Sequence, residues 1–162
     1  MHFCVTGASG FVGKAVIQKL VARGDYVTAI ARTCQHRASD GDRVKWVQCD
    51  LCESTPPRGS LGTVDAIIHL AGRAHVLNER GGDSMPVFHQ ANAEATERLA
   101  ALAARVGIQR LVFVSSIGVH GSSLADGAPV SESSVIDPLE TYAVSKWEAE
   151  QRLRRVEGDT NV

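Results

Sequence analysis

The sequence predicts an α/β protein, a doubly wound parallel sheet of five strands covered by helices. Three observations predict it. Short β-rich apolar runs alternate with longer segments of helical period, the pattern of strand–helix–strand units. Two of the runs, Ala66-Ile67-Ile68 and Leu111-Val112-Phe113-Val114, are continuously apolar, as suits strands covered on both faces. A glycine-rich turn directly follows the first run and opens the first helical segment.

The elements follow in order. A first strand is expected over 2–5 and a first helix over 11–23, stopped by Gly24. Strands over 26–31, 44–49 and 66–70 come next. A helix over 86–106 starts at Pro86 and ends at Gly107, a normal asymmetry of helix termini. Along it Phe88, Ala91, Ala95, Leu99, Leu102 and Val106 recur at spacings of three and four, giving one apolar stripe. A fifth strand over 110–114 and a helix over 138–156 complete the set. The connections over 72–85 and 118–137 are long for such a fold, and long loops are more often functional than idle.

Length and charge bound the function. The 162 residues suit one domain, and 17 basic against 18 acidic side chains leave a net charge of −1. That balance excludes a nucleic-acid binder, which needs a basic excess. No apolar run approaches the ~18 residues of a membrane span, and a secretory leader is not expected, since Met1-His2 leads straight into Phe3-Cys4-Val5. A cytoplasmic protein is expected. Cys4, Cys34, Cys49 and Cys52 are expected to be small buried hydrophobes, because Cys49-x-x-Cys52 has no partner pair at zinc spacing. The six histidines show no metal-ligating spacing, so no metal is expected.

Three motifs carry chemistry. Thr6-Gly7-Ala8-Ser9-Gly10-Phe11-Val12-Gly13 joins strand to helix, where glycines let backbone approach a ligand and free N–H groups face a pyrophosphate. The spacing is Gly-x-x-Gly-x-x-Gly; an ordinary tight turn is the bland alternative. The second strand ends Ala29-Ile30-Ala31-Arg32, with no carboxylate to accept from a ribose hydroxyl. Arg32, together with Arg37, suits a 2′-phosphate, which leans the cofactor toward NADP(H) over NAD(H). A solvated loop of mixed charge, with Asp40 and Asp42 nearby, is the alternative. Asp50-Leu51 suits an adenine amino group or a plain strand-end turn. Tyr142 and Lys146 lie one helical turn apart, so the ammonium can favour phenolate, as a general base near neutrality requires. Ser115 and Ser116 close the fifth strand at the sheet edge where ligands bind, or simply cap it.

Taken in order, Thr6–Gly13, Asp50-Leu51, His69-Leu70-Ala71-Gly72, Asn92-Ala-Glu-Ala-Thr96, Ser115-Ser116 and Tyr142-x-x-x-Lys146 resemble the extended short-chain dehydrogenases/reductases. Within them the chain is most similar to the UDP-glucose 4-epimerase-like branch of the NAD-dependent epimerase/dehydratase family. The resemblance implies a Rossmann-like cofactor domain over residues 1–162, ending before a sixth strand and a sugar-nucleotide subdomain. It assigns Gly7, Gly10, Phe11 and Val12, with Gly13, to the pyrophosphate, and Asp50 and Leu51 to the adenine. Leu70, Ala71, Gly72 and Asn92 would line the cofactor channel. Ser116, Tyr142 and Lys146 would be the catalytic triad, the last two also touching the cofactor. Tyr142 would take a proton from a sugar hydroxyl while hydride passes to the nicotinamide. Lys146 would hold the nicotinamide ribose and depress the Tyr142 pKa. Arg73 and His75 are candidates to face a substrate.

The chain departs from the family pattern at Ala31-Arg32, and at Ala95 where glycine is usual. Ile117-Gly118 stand where a 4,6-dehydratase carries Asp-Glu. A 4-epimerase is therefore expected, ahead of an NADPH-dependent ketone reductase and then a dehydratase. A non-catalytic dinucleotide sensor is set against retention of all three triad residues. A homodimer is expected from an apolar fifth strand at the sheet edge and from apolar faces on the two long helices.

Overall fold

A computed structural model describes residues 1–34, 38–74, 85–121 and 129–160. Five strands, β1 (His2–Thr6), β2 (Tyr26–Ala31), β3 (Val44–Gln48), β4 (Ala66–His69) and β5 (Leu111–Phe113), form one sheet in the order β3-β2-β1-β4-β5. All pairs are parallel, with Thr6 opposite Ile30 on one side and His69 on the other. Strand ends differ from expectation by about one residue, the usual uncertainty of such boundaries.

Helix α1 (Phe11–Ala22) covers one face of the sheet, where Ile17 and Leu20 meet Val5, Val27 and Ala29. The opposite face carries Cys4, Ile30 and Ile67 against Leu99 and Leu102 of a longer helical segment. Strands β1 and β2 thus bury side chains on both faces, Cys4 and Ile30 on one and Val5, Val27 and Ala29 on the other.

The segment expected as one helix over 86–106 is three pieces: α2 (Met85–Phe88), a π-helical turn (His89–Glu94) and α3 (Ala95–Arg105). The wide turn rotates Asn92 and Ala93 into the interior. Ala91, expected on the buried stripe, instead faces the cleft described below. The last helix, α4 (Thr141–Thr160), starts three residues later than expected and runs four residues further. Asp137 N–H donates to the Val119 carbonyl at 3.0 Å, which holds the segment before α4 as a loop.

Cys4 and Cys49 are core residues, but Cys34 and Cys52 are only half-buried, a correction to the sequence expectation. β5 is an edge strand among the described residues, and Val112 and Val114 are 47% and 48% exposed. No large apolar side chain of α3 or α4 is exposed in the described chain. Arg152 of α4 donates to Glu97 of α3 and to His89 of the π-helical turn. Val144, Trp147, Leu153 and Val156 of α4 are partly buried. No described helix is long and apolar enough to cross a membrane.

Candidate active site

The strand order reverses between β1 and β4, and such a reversal opens a crevice at the C-terminal edge of a parallel sheet. A cleft of about 370 Å³ lies there, lined by Gly7, Gly10, Arg32, Asp50, Leu51 and the Leu70-Ala71-Gly72 strip, with Arg73 beside them. These residues come from four separate loops, each at the end of a strand.

The glycine turn is built for close approach. Gly7 has φ of 65°, and a Cβ there would stand 2.7 Å from the Ala71 amide nitrogen. A Cβ on Gly13 would overlap the Gly7 carbonyl oxygen, so Gly13 seats the turn on α1 from behind and does not line the cleft. Gly10 is the N-cap of α1 and offers no capping side chain, and the first turn carries no acidic residue. The free N–H groups and positive dipole end at this terminus thus remain for an anion. Phe11 and Val12 are 93% and 51% exposed, so what they can offer a pyrophosphate is backbone.

Arg32 is exposed at one end of the cleft. Asp50 accepts from the Cys52 amide at 2.9 Å through one carboxylate oxygen. The guanidinium of Arg98, on α3, donates to the carbonyls of Leu51 at 2.8 Å and Cys52 at 3.0 Å and fixes the same turn. Cys52 lines the cleft, where burial and the Asp50 carboxylate push its thiol up. Arg98 was not legible as a site residue, because nothing local marks it, and Cys52 was expected only as a small buried hydrophobe.

The wall after β4 hangs on a buried polar chain. Ala71 N–H donates to Thr6 Oγ1 at 3.1 Å, and Thr6 Oγ1 lies 2.6 Å from His69 Nδ1. His69 Nε2 lies 2.9 Å from Thr96 Oγ1, whose hydroxyl donates to the Asn92 carbonyl at 2.5 Å. Asn92 was expected to line the channel, but it is buried behind it. Its Oδ1 accepts from Arg73 N–H at 2.8 Å, while its Nδ2 donates to the Arg73 carbonyl at 3.0 Å and to Ser145 Oγ at 2.8 Å. All three bonds use the inward turn of the π segment. They tie the wall of the cleft to α4.

On α4, Tyr142 packs edge-on against Phe88 at 6.3 Å between ring centroids. Burial pushes its phenol up, opposite to the lowering expected from Lys146. Lys146 is 4% exposed, and its Nζ lies 3.8 Å from the centre of the Phe113 ring. Burial lowers its ammonium to about 8, with Glu150 acting in the opposite direction. Ser116 caps the 3₁₀ turn Ile117–His120, accepting from Gly118 N–H at 3.2 Å. That turn rests on α4 at Ala143, next to Tyr142. Ser115 donates instead to the Glu150 carboxylate, so the two serines have different partners. Both border a second cavity of about 470 Å³. Arg37 and His75 lie outside the described residues.

A glycine turn under an uncapped helix, at the switch point of a parallel sheet and beside a Tyr-x-x-x-Lys helix, defines a doubly wound, Rossmann-like α/β protein. The family model described as NAD dependent epimerase/dehydratase family matches residues 3–162, and the chain belongs to that family. A UDP-glucose 4-epimerase of Vibrio cholerae is 29% identical over 158 residues, covering 98% of this chain and 48% of that protein. A 2-alkyl-3-oxoalkanoate reductase of Shewanella oneidensis is 30% identical, covering 94% of this chain and 38% of that protein. Among solved structures, MoeE5 in complex with UDP-glucuronic acid and NAD superposes with a TM-score of 0.85 at 29% identity, over 99% of this chain and 52% of that one. The chain spans about half the length, or less, of the curated relatives it matches. MoeE5 was solved with NAD, which lends no support to the lean toward NADP.

Proposed function

We propose that this chain is the cofactor-binding and proton-transferring part of a nucleotide-sugar 4-epimerase-like enzyme. The observation that carries the proposal is the switch-point cleft, which joins the glycine turn, the Asp50-Leu51 turn and the Leu70-Ala71-Gly72 strip in one surface. A cradle in which a single Cβ would collide with the opposite wall fits a flat, extended dinucleotide. The similarity to a UDP-glucose 4-epimerase and to MoeE5 supports the sugar-nucleotide substrate. A sugar site would be supplied by sequence beyond that shared with this chain, since those proteins are about twice as long. A cytoplasmic location belongs to the same proposal.

When bound, a nicotinamide dinucleotide supplies a hydride acceptor and donor. Gly7 and Gly10, with the N–H groups of Phe11 and Val12, hold the pyrophosphate. Asp50 and Leu51 meet the adenine, and Arg32 meets the adjoining ribose. Tyr142 takes the proton of the sugar hydroxyl as phenolate, and Ser116 hydrogen-bonds the same oxygen. Burial alone opposes a phenolate, so Tyr142 needs a cation beside it, and Lys146 is the one on its face of α4.

The test is calorimetric titration of the chain with NAD⁺, NADH and NADPH, followed by assay of the longer protein against UDP-sugars. The chain is expected to bind dinucleotide, and Tyr142→Phe in the longer protein to lose sugar epimerisation while keeping the cofactor bound; no turnover is expected from residues 1–162 alone. Absence of dinucleotide binding, or full turnover in Tyr142→Phe, overturns the proposal. One observation favours a second reading, an NADPH-dependent ketone reductase: Arg32, and no carboxylate, stands where β2 enters the cleft.

A further inference from the structure

Lys146 rests on an aromatic support rather than on a carboxylate. Its Nζ is 3.8 Å from the centroid of the Phe113 ring, well inside the ~6 Å range of a cation–π contact. Phe113 is in turn stacked on His69, the register partner beside it in β4, with 5.6 Å between centroids and 29° between planes. His69 is held between the hydroxyls of Thr6 and Thr96, both fully buried. One hydrogen-bond direction is fixed. Thr96 spends its proton on the Asn92 carbonyl and so accepts from Nε2–H. Full burial opposes a second proton on the ring, so Nδ1 accepts from Thr6 and the neutral imidazole adds no second positive charge beside Lys146.

We propose that Phe113 is a positioning residue for Lys146, its ring face seating the ammonium and the neutral His69 bracing that ring from the neighbouring strand. Two ionisable groups act on or feel the ammonium: Glu150 on α4, which favours its charge, and His69 on β4, whose protonation would oppose it; Tyr142 stands one helical turn before it on α4. The role of Phe113 follows from geometry that sequence does not reveal, since residues 113 and 146 are far apart in the chain. Its functional meaning rests on the proposed role of Lys146 at the cofactor ribose. The readouts below do not.

The first test is NMR of the unmodified chain. A lysine seated on a ring face has its ε-methylene protons shifted upfield by the ring current, and those of Lys146 are expected to be so shifted and to return to ordinary values in Phe113→Leu. The second replaces Phe113 by 4-fluoro- and then 3,4,5-trifluorophenylalanine, which keep the shape and drain the ring face. The Lys146 ammonium pKa is expected to fall stepwise, by about one pH unit over the series. Unshifted ε-methylene protons in the unmodified chain, or no trend with fluorination, overturns the proposal. If the trend holds and no dinucleotide binds, the proposal stands and the functional assignment of the cleft falls.

Discussion

Thr6 and His69, the last residues of two neighbouring parallel strands, are register partners whose side chains meet at 2.6 Å. The same threonine receives the Ala71 amide, so one hydroxyl joins β1 to the wall of the cleft. His69 is fully buried, and burial first, then the Lys146 charge, pushes its imidazole down to about 3.

Acid stability follows from that shift. The unfolded histidine titrates near 6.5 and the folded one near 3, so the unfolded state binds more protons between these values. The contribution is fully present above pH 6.5 and is lost as pH falls toward 3. His69→Leu is expected to flatten this part of the urea stability–pH profile. It also costs on the order of 1–3 kcal/mol at pH 7, because Thr6 loses its acceptor. A variant profile as steep as the parent's would overturn this.

Lys146 gives a second window of the same sign on the alkaline side. Its folded value of about 8 lies below the ordinary 10.5, so the unfolded chain holds more protons between the two and stability rises with pH across them. Lys146→Met is expected to be more stable than the parent at pH 7, by about 1–3 kcal/mol. That advantage should shrink between pH 8 and 10.5 as the parent lysine becomes neutral. Denaturation at a series of pH values measures both.

Gly13→Ala should be among the most damaging single-methyl changes, since its Cβ meets backbone on the neighbouring turn rather than a side chain that can move. A loss of about 1–3 kcal/mol is expected from such overpacking, together with weaker dinucleotide binding. Thermal denaturation and titration read the two effects. Gly59→Ala, in open space, is the control.

Arg32→Ala tests cofactor choice. If the guanidinium meets a 2′-phosphate, NADPH binding weakens by about 1–3 kcal/mol while NADH is spared. Equal losses for both place Arg32 at a group the two cofactors share.

The sheet edge is expected to self-associate. Val112 and the following Val114 are half-exposed and apolar, without the lysines or prolines that protect natural edges. Light scattering should show an assembly that grows with concentration, and Val112→Lys combined with Val114→Lys should return a monomer. A parent chain that stays monomeric at high concentration would refute this.

The sequence by itself determined the strand and helix order, the parallel sheet and the switch-point location of the glycine turn, since each is written in local periodicity or a contiguous motif. It also placed Tyr142 and Lys146 on one helix face, because four residues make about one turn. Tertiary structure alone decided the environment of those groups. The π turn that buries Asn92, the Arg98 clamp on the Asp50 turn, the Thr6–His69–Thr96 chain and the Phe113 seat of Lys146 join residues 19 to 63 positions apart or lie on different strands and helices. Hydrophobic period marks which face a residue takes, but not which partner stands opposite it. Spacing puts Lys146 on the Tyr142 face of the helix, while packing decides that burial pushes the phenol up and that the ammonium sits over Phe113.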